Sequence, residues 1–298
     1  MPKRVALVVK RSALDRAREH PDDRLHELLE REDPTVAHVR DAHAEHEASV
    51  SEVKRALVDC GAHVTPIRNK REHFETAKFD LVVTVGGDGT LLHASHSVGD
   101  VPAILSINSS PSTSVGFFAA AEQPRIADAI RAALDDELPS VELTRMQVSV
   151  NGEVISSRVL NDALFCHSSP AATSRYILEH RGRVEEQKSS GFWIGPAAGS
   201  TAAQRSAGGK VLPLGSRTLQ MVVREPYTPH ARPYKLRRVL VRPGEELLVR
   251  SKARRMRLYL DGPDEWLTVD LGDVLTFTRS PEPLVLLGIS KQGLGTRR

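Results

Sequence analysis

The stretch DLVVTVGGDGTLLHAS, residues 80–95, decides the expected fold. A mainly apolar run, residues 81–85, in which Thr84 is the only polar residue, leads into the glycine-rich segment GGDGT, residues 86–90, and then into a helix-like sequence. A short apolar run without alternation is typical of a strand that is covered on both faces. Glycines allow a tight turn and let a ligand approach the backbone. The stretch therefore predicts a strand–turn–helix unit of an α/β domain.

The predicted turn has the chemistry of a phosphate site. Backbone N–H groups at the start of a helix attract phosphate oxygens, and open α/β sheets bind ligands at the carboxyl ends of their strands. Asp88 at this place could orient a magnesium ion or accept a proton from an attacking hydroxyl. The same residues also fit a plain strand-to-helix turn in which Asp88 caps the helix, and spacing alone does not separate these two interpretations.

The first half of the chain alternates strand and helix patterns. The sequence predicts four strands, at residues 5–9, which form an all-apolar run, and at residues 63–67, 81–85 and 103–107. Periodicity predicts helices at residues 48–60, with Gly61 as C-cap, and at residues 126–134, with Pro124 placed to begin the helix. We therefore expect residues 1–134 to form a three-layer, Rossmann-like α/β domain with a mostly parallel sheet.

The second half changes to the two-residue period of β-strands. Met146, Val148 and Val150 alternate with polar residues, and Asn151-Gly152 follows as a strong hairpin signal. Further strands are predicted at residues 154–165, 174–180, 219–224, 247–250 and 257–260. We expect residues 135–280 to form an all-β domain, and residues 281–298 to return to the first domain.

Other patterns leave alternatives open. The segment KSSGFWIGPAAGSTAAQRSAGG, residues 188–209, has small residues that could leave room for a ligand, or it is a tightly packed loop and helix. Asn161 and Asp162 are adjacent at a predicted strand position, so at most one side chain would face a given pocket without a bulge. His43 and His46 share a helical face and could hold a metal, but no third ligand is evident in the sequence, so a solvated helix face is the preferred interpretation. His93 and His96 are interpreted as polar-face residues rather than a zinc pair.

Composition excludes several classes of protein. The 298 residues contain 41 Lys plus Arg against 38 Asp plus Glu, so the formal net charge is only +3. That balance argues against a dedicated nucleic-acid binder. Ten basic residues between positions 231 and 257 fit a solvated strand face best, and a nucleotide-attracting rim or a subunit contact is the alternative interpretation. The chain has no apolar stretch long enough for a spanning helix, and its 2 cysteines cannot build a disulfide framework or a four-thiolate zinc site.

Three motifs in order resemble the NAD kinase family: GGDGT at residues 86–90, the Asn161-Asp162 pair, and GSTAAQRSAGG at residues 199–209. GGDGT alone is shared with lipid kinases, whereas the ordered set is far more specific. The resemblance extends over residues 80–287. The chain strongly resembles the plant-type NADH kinases of this family and shows some likeness to the mitochondrial NAD kinases. It is carried further by SINSSPSTSVGFF (106–118), LNDALFCHSSPAATSR (160–175) and LQMVVREPYTP (219–229).

The resemblance implies a transferase that moves the γ-phosphoryl group of ATP to the adenosine ribose 2′-OH of NADH and/or NAD⁺. It implies that Asp88 is the catalytic base or a magnesium-proximal carboxylate, and that Mg²⁺ is held through ATP and Asp88. It implies a phosphate-binding turn of Gly86, Gly87, Gly89 and Thr90. The residues it implies for the dinucleotide are Asn161, Asp162, Ser190, Thr201, Ala202 and Ser206.

Two departures from the typical family pattern bear on the redox form of the substrate. Ser190 stands where Asp is typical, and Ala203 stands where Tyr is typical. Both changes resemble the NADH kinase branch, so they are not interpreted as loss of activity. A missing carboxylate near the cationic nicotinamide ring of NAD⁺ would weaken NAD⁺ binding and affect neutral NADH less.

Two other functions stay open at this point: a catalytically silent NAD(H)-binding sensor, and a diacylglycerol- or sphingosine-type lipid kinase. The resemblance further implies a homodimer or homotetramer. We expect a cytoplasmic protein without nucleic-acid or membrane partners, because the first thirty residues include several acids and do not resemble a transit peptide.

Overall fold

A computed structural model describes residues 2–19, 24–67, 74–228 and 234–289. The chain forms two compact units, Met1–Val141 with Val285–Arg298, and Glu142–Leu284. The boundaries expected from the sequence, at residues 134 and 280, fall inside these units. The chain passes from one unit to the other inside two strands, Ser140–Leu143 and Leu284–Leu287. Because no linker lies at these points, no change of composition marks the boundaries in the sequence.

The sheet of the first unit has the order β2-β1-β3-β4-β18-β5. Its strands are β1 (Arg4–Val9), β2 (His63–Ile67), β3 (Leu81–Gly86), β4 (Ala103–Asn108), β5 (Ser140–Leu143) and β18 (Leu284–Leu287). The pairs β1–β2, β1–β3, β3–β4 and β4–β18 are parallel, which confirms the expected mostly parallel sheet. Strand β2 lies on one side of β1, and the next strand in the chain, β3, lies on the other side. The direction in which successive strands are added to the sheet therefore reverses between β1 and β3.

The helices of the first unit are α1 (Ala13–Glu19), α2 (Arg24–Glu30), α3 (Ala37–Asp59), α4 (Asp88–Ser95) and α5 (Ile126–Leu134), with a 3-10 turn at Pro34–Val36. Val53 and Leu57 of α3 and Ile130 of α5 share one core with the apolar strand residues. Such burial is the main source of stability for these elements. Within the described ranges no helix is long and apolar enough to span a bilayer.

The structure corrects three details of the first unit. Helix α3 begins at Ala37, well before residue 48, because its first turns are polar and carry little apolar periodicity. Gly61, with φ +70°, follows the C-cap Cys60 instead of being the cap. Pro124 lies before the N-cap Arg125 and therefore does not begin α5.

The second unit contains two antiparallel sheets, in the orders β10-β9-β14-β17-β6-β7 and β13-β12-β11-β8-β15-β16. The strands are β6 (Met146–Val150), β7 (Glu153–Val159), β8 (Ala163–His167), β9 (Ser174–His180), β10 (Arg183–Ser189), β11 (Phe192–Gly195), β12 (Leu219–Val223), β13 (Arg238–Val241), β14 (Glu246–Ser251), β15 (Met256–Leu260), β16 (Trp266–Val269) and β17 (Val274–Arg279). The all-β expectation is confirmed. Both sheets contribute to one core, in which Phe165 stacks on Phe192.

The hairpin prediction at Asn151-Gly152 is confirmed, since both residues have positive φ and join β6 to β7. The single strand expected at residues 154–165 is wrong: it is β7 and β8, which belong to different sheets. The sequence also gave no signal for β10, because this strand ends a sheet and buries only Gln187 and Ser189. The sequence patterns likewise do not predict helices α1 and α2 or strands β5, β13, β16, β17 and β18. The short helix α6 (Ala203–Ser206) lies in the segment for which a packed loop and helix is one of the two interpretations.

Candidate functional site

The carboxylate of Asp88 is held by backbone amides from a distant loop. Asp88 is the first residue of α4 and Gly87 before it is the N-cap, so the alternative in which Asp88 caps the helix is wrong. The amide of Phe117 donates to Asp88 Oδ2 and the amide of Phe118 donates to Oδ1, each at 3.0 Å. The carboxylate therefore has a fixed orientation at the carboxyl end of β3.

Two glycines of the turn are required by close packing. A Cβ at Gly86 would lie 2.2 Å from Thr90 Oγ1, and one at Gly87 would lie 2.6 Å from Ser114 Oγ. Gly89 is different, because nothing lies within 4 Å of its Cβ position. Gly89 is also exposed. The backbone at Gly89 is thus open to a ligand, while Gly86 and Gly87 let the turn pack against its own helix and the neighbouring loop.

That neighbouring loop, residues 109–118, is itself fixed at several points. Gly116 has φ +60° and packs on the side chain of Asn108, whose Nδ2 donates to Ser114 O at 3.0 Å. Helix α3 also binds the loop through His46 and Glu45. In the sequence this segment carries only part of the family resemblance, and no residue in it indicates a role toward Asp88.

Lys10 is a second residue that the sequence analysis missed. It follows β1 directly, and its amide donates to Val85 O at 2.9 Å. Its Cβ lies 3.0 Å from the position of a Cβ on Gly86. A basic side chain therefore begins beside the turn, where the strand order reverses and α/β sheets bind their ligands. The available signal was its position as the first charged residue after the first apolar run.

Asn161 and Asp162 lie in the bend between β7 and β8, so the expected strand position is wrong. Asn161 Nδ2 donates to Asp162 Oδ2 at 3.0 Å, which brings the two side chains together instead of onto opposite faces. The carboxylate of Asp261 accepts from three consecutive amides, those of Leu160, Asn161 and Asp162, at 2.7, 2.6 and 3.0 Å. Asp261 thus fixes the backbone of the bend.

Asp162 is a buried acid, only 6% exposed. Burial and, to a smaller extent, the negative charge of Asp261 together raise its pKa to about 7. The side chain therefore titrates near neutral pH, a property common at functional sites. The sequence could not predict this pKa because Asp261 comes from a strand turn far along the chain.

The small residues at positions 195–200 serve packing against this bend. A Cβ at Gly199 would lie 1.7 Å from Asn161 O, and one at Gly195 would lie 2.4 Å from the same atom. Ser200 is fully buried, with its hydroxyl donating to Ala197 O at 2.7 Å and accepting from Leu212 N at 2.9 Å. The close-packed interpretation is therefore correct for this part of the segment. The hydroxyl of Ser200 is buried and already hydrogen-bonded within the protein, so it is not available to a ligand.

The remaining dinucleotide candidates occupy two places in the second unit. Thr201 ends the 3-10 turn Ala197–Thr201, which begins after β11 and leads through the exposed Ala202 into α6. Ser206 is the exposed last residue of α6. Ser190 is half-buried between β10 and β11, where its amide donates to Arg224 O at 3.2 Å. Thr201 and Ala202 thus follow shortly after Gly199 in the chain, and Gly199 packs on the backbone of Asn161.

The histidine expectations need correction. His46 is only 3% exposed and His96 only 7%, so neither lies on a solvated helix face. His43 has acidic neighbours, because its ring lies within 4.8 Å of ligating atoms of Asp15 and Glu47. A hydrogen bond of 2.9 Å between His43 Nδ1 and Ser12 Oγ already satisfies one ring nitrogen.

The basic run agrees with a solvated strand face in its described part, residues 234–257. Arg238 and Arg250, on β13 and β14, are exposed. Arg257 is half-buried, and its guanidinium lies 4.1 Å from the ring centroid of Trp266. This contact is a cation–π interaction within one sheet. Residues 231–233 lie outside the described residues.

The chain is a two-unit protein. In its first unit, Asp88 and the glycine turn lie at the carboxyl end of β3, where the strand order of the parallel sheet reverses. Residues 5–138 match the family model "ATP-NAD kinase N-terminal domain". The chain is 34% identical over 238 residues to a probable NADH kinase of Oryza sativa, covering 72% of this chain and 73% of that protein. It is also 34% identical to an NADH kinase of Arabidopsis thaliana, covering 66% of this chain and 68% of the relative. The chain belongs to the NAD kinase family.

Solved structures show the same fold. An NAD kinase from Archaeoglobus fulgidus in complex with ATP matches with a TM-score of 0.67 and 21% identity, covering 95% of this chain and 92% of that one. Yeast NADH kinase complexed with NADH matches with a TM-score of 0.72 and 15% identity, covering 97% and 84%. At these identities the likeness concerns the fold alone.

Proposed function

We propose that this protein transfers the γ-phosphoryl group of ATP to the adenosine ribose 2′-OH of NADH and/or NAD⁺. The observation that carries the proposal is the carboxylate of Asp88, oriented by two backbone amides at the carboxyl end of β3 in a member of the NAD kinase family. Phosphoryl transfer depends mainly on positioning and charge neutralisation. A carboxylate in a fixed orientation beside a turn that is open to a ligand fits these requirements.

In this proposal Asp88 accepts the proton of the attacking hydroxyl. Each carboxylate oxygen uses one acceptor position for an amide of Phe117 or Phe118, which leaves further lone pairs for substrate. A positioned base accelerates such a step by about 10²–10⁴-fold. The open backbone at Gly89 and the side chain of Lys10 would face the phosphate groups, because anions bind at helix N-termini and beside lysines.

The donor chemistry of the turn also fits a divalent cation. Mg²⁺ prefers carboxylate and phosphate oxygens and is commonly held by one or two carboxylates together with substrate phosphates. Asp88 offers such oxygens next to the open turn. A bound Mg²⁺ would supply charge neutralisation on the phosphoryl group. The chain's own contribution is to hold Asp88 in place.

The dinucleotide part of the proposal rests on the second unit. Asn161, Asp162, Ser190, Thr201, Ala202 and Ser206 are its proposed contacts. Asn161 and Asp162 support it best, because Asp261 fixes their backbone and the two side chains already share a hydrogen bond. An amide and a carboxyl group held together in this way can recognise neighbouring ribose hydroxyls.

The testing experiment is a steady-state assay with Mg-ATP and either NAD⁺ or NADH, in which NADP⁺ or NADPH is quantified by enzymatic cycling. The expected result is phosphorylated dinucleotide from at least one form. Dispersed diacylglycerol in place of the dinucleotide should give no product. Tight NAD(H) binding without turnover would favour the sensor function, and turnover of the lipid alone would favour a lipid kinase.

A homodimeric or homotetrameric state and a cytoplasmic location belong to the same proposal. The first is tested by light scattering of the purified protein, where a mass of one 32.7 kDa chain would contradict it. The second is tested by fractionation of the source cells with an antibody to the protein.

A further inference from the structure

His46 is a buried polar residue for which neither the sequence motifs nor the proposed chemistry gives a role. It lies on α3 and is only 3% exposed. Its Nδ1 is 2.8 Å from Ser109 Oγ, and the ring also hydrogen-bonds the backbone of Lys10. One side chain therefore connects the carboxyl end of β1 with the loop that follows β4, across the end of β3.

Ser109 lies between His46 and the glycine turn. The amide of Ser109 donates to Gly86 O at 3.2 Å, two residues before Asp88. The hydroxyl of Ser49, one turn along α3 from His46, donates to Ser109 O at 3.2 Å. With 1% exposure, Ser109 is buried on all sides by these partners. Movement of Ser109 would thus move the backbone that carries Asp88.

The same helix holds the next part of the loop. Glu45 Oε2 accepts from Ser110 Oγ at 3.1 Å and from Ser112 Oγ at 2.8 Å. The loop then reaches Phe117 and Phe118, whose amides orient the carboxylate of Asp88. Helix α3 is therefore connected to Asp88 through both the backbone of the turn and the carboxylate oxygens.

We propose that His46 is a positioning residue, which fixes the 109–118 loop through Ser109 and thereby the orientation of Asp88. The inference rests on the proposed kinase function. Burial lowers the pKa of His46, so the ring is neutral at pH 7; Glu47 and Asp15 oppose this shift, and the charge of Lys10 favours it. A neutral ring can accept from the Ser109 hydroxyl while it donates to the Lys10 carbonyl.

The test compares kcat and KM for NAD(H) and Mg-ATP among variants that remain folded. His46→Leu keeps a similar volume and removes both hydrogen bonds, whereas His46→Asn keeps a polar group near Ser109. We expect His46→Leu to lower kcat by about tenfold with both KM values within about twofold, because a tilted base loses turnover more than binding. His46→Asn should recover most of kcat. His38→Leu, an exposed histidine on the same helix, is the matched control and should behave as wild type.

Two double variants separate positioning from general loosening. His46→Leu with Ser109→Ala should lose no more than the worse single variant, because both act through one contact. In an Asp88→Asn background, His46→Leu should change the residual kcat by less than about twofold. Hydrogen exchange of the Phe117 and Phe118 amides should be faster in His46→Leu, and this readout does not depend on activity.

Three results would overturn the inference: a folded His46→Leu with wild-type kcat, equal losses with and without Asp88, or unchanged exchange at Phe117 and Phe118. If His46→Leu does not fold, Ser109→Ala decides by the same criteria. A wild-type protein without turnover on either dinucleotide would contradict the proposed function itself, whereas an active wild type with unaffected variants would contradict only the role of His46.

Discussion

The two units hold a carboxylate of the proposed site in opposite ways. In the first unit, backbone amides of Phe117 and Phe118 orient the side chain of Asp88. In the second unit, the carboxylate of Asp261 orients a backbone segment, and that segment carries Asp162. Asp88 is half-exposed, whereas Asp162 is buried beside another acid. The structure thus orients a carboxylate side chain in one unit and fixes a backbone segment in the other, and under the proposed function the first serves the chemistry and the second serves dinucleotide binding.

The strongest test of this contrast is Asp88→Asn. An amide side chain cannot accept a proton as a carboxylate does, and its NH₂ group would oppose one of the two backbone N–H donors. We expect kcat to fall by about 10²-fold or more, with KM for the dinucleotide changed less. Asp100→Asn, an exposed acid of the same unit, is the control and should leave both constants unchanged. A variant that keeps more than about a tenth of the wild-type kcat would show that Asp88 is not the base.

Gly199→Ala tests the rigid segment of the second unit. The new Cβ would lie 1.7 Å from Asn161 O, so the bend must shift. We expect a loss of about 1–3 kcal/mol in the free energy of unfolding and a higher KM for the dinucleotide with less effect on kcat. Thermal melts and steady-state kinetics measure both. Gly215→Ala, where nothing lies within 4 Å, is the matched control. Equal behaviour of the two variants would contradict a packing role for Gly199.

The same contrast explains what the sequence could predict. The strand–turn–helix at residues 80–95 depends on local apolar pattern and glycine, so β3 and α4 were predicted closely. The partners of Asp88 could not be predicted, because Phe117 and Phe118 lie 29 and 30 residues away and contribute only backbone amides. Backbone donors carry no residue-type signal, and only the resemblance drew attention to their segment.

The second unit was harder to predict for a related reason. Apolar residues on both sides of Asn161-Asp162 make residues 154–165 look like one strand, and the bend is created by Asp261, 99–101 residues further on. The raised pKa of Asp162 arises from that same long-range contact and from burial. Family motifs nominated the residues of the proposed site, but the pKa of Asp162 could be derived only from the folded structure.

A smaller effect is expected in the pH dependence of stability. The pKa of Asp162 is about 7 in the folded protein and near 3.8 when unfolded, so the folded state binds more protons between these values. The free energy of unfolding must therefore decrease as pH rises toward 7. Asp162→Asn removes this titration, because an amide carries no charge at any pH.

Between pH 5 and pH 8, wild type should lose about 2–3 kcal/mol more stability than Asp162→Asn, since the titration covers about two pH units and each corresponds to about 1.4 kcal/mol. Denaturant unfolding at the two pH values measures the difference. Asp264→Asn, an exposed acid after the Asp261 turn, should follow wild type. Parallel pH profiles for wild type and Asp162→Asn would show that Asp162 is ionised throughout this range.

The smallest predicted effect concerns Ser190, the residue that stands where Asp is typical of the family. Ser190→Asp adds a negative charge at a half-buried turn of the second unit. If the nicotinamide ring binds nearby, the charge attracts cationic NAD⁺ and acts less on neutral NADH. An attraction of about 1 kcal/mol corresponds to roughly a fivefold shift toward NAD⁺ in the ratio of kcat/KM values. Ser190→Asn has the same shape without the charge and should leave that ratio unchanged. Two results would contradict a role for charge at this position: the same ratio of kcat/KM values in wild type and Ser190→Asp, or the same shift of that ratio in Ser190→Asn and Ser190→Asp. In either case the shape of the pocket, and not charge at residue 190, would set the preference between NAD⁺ and NADH.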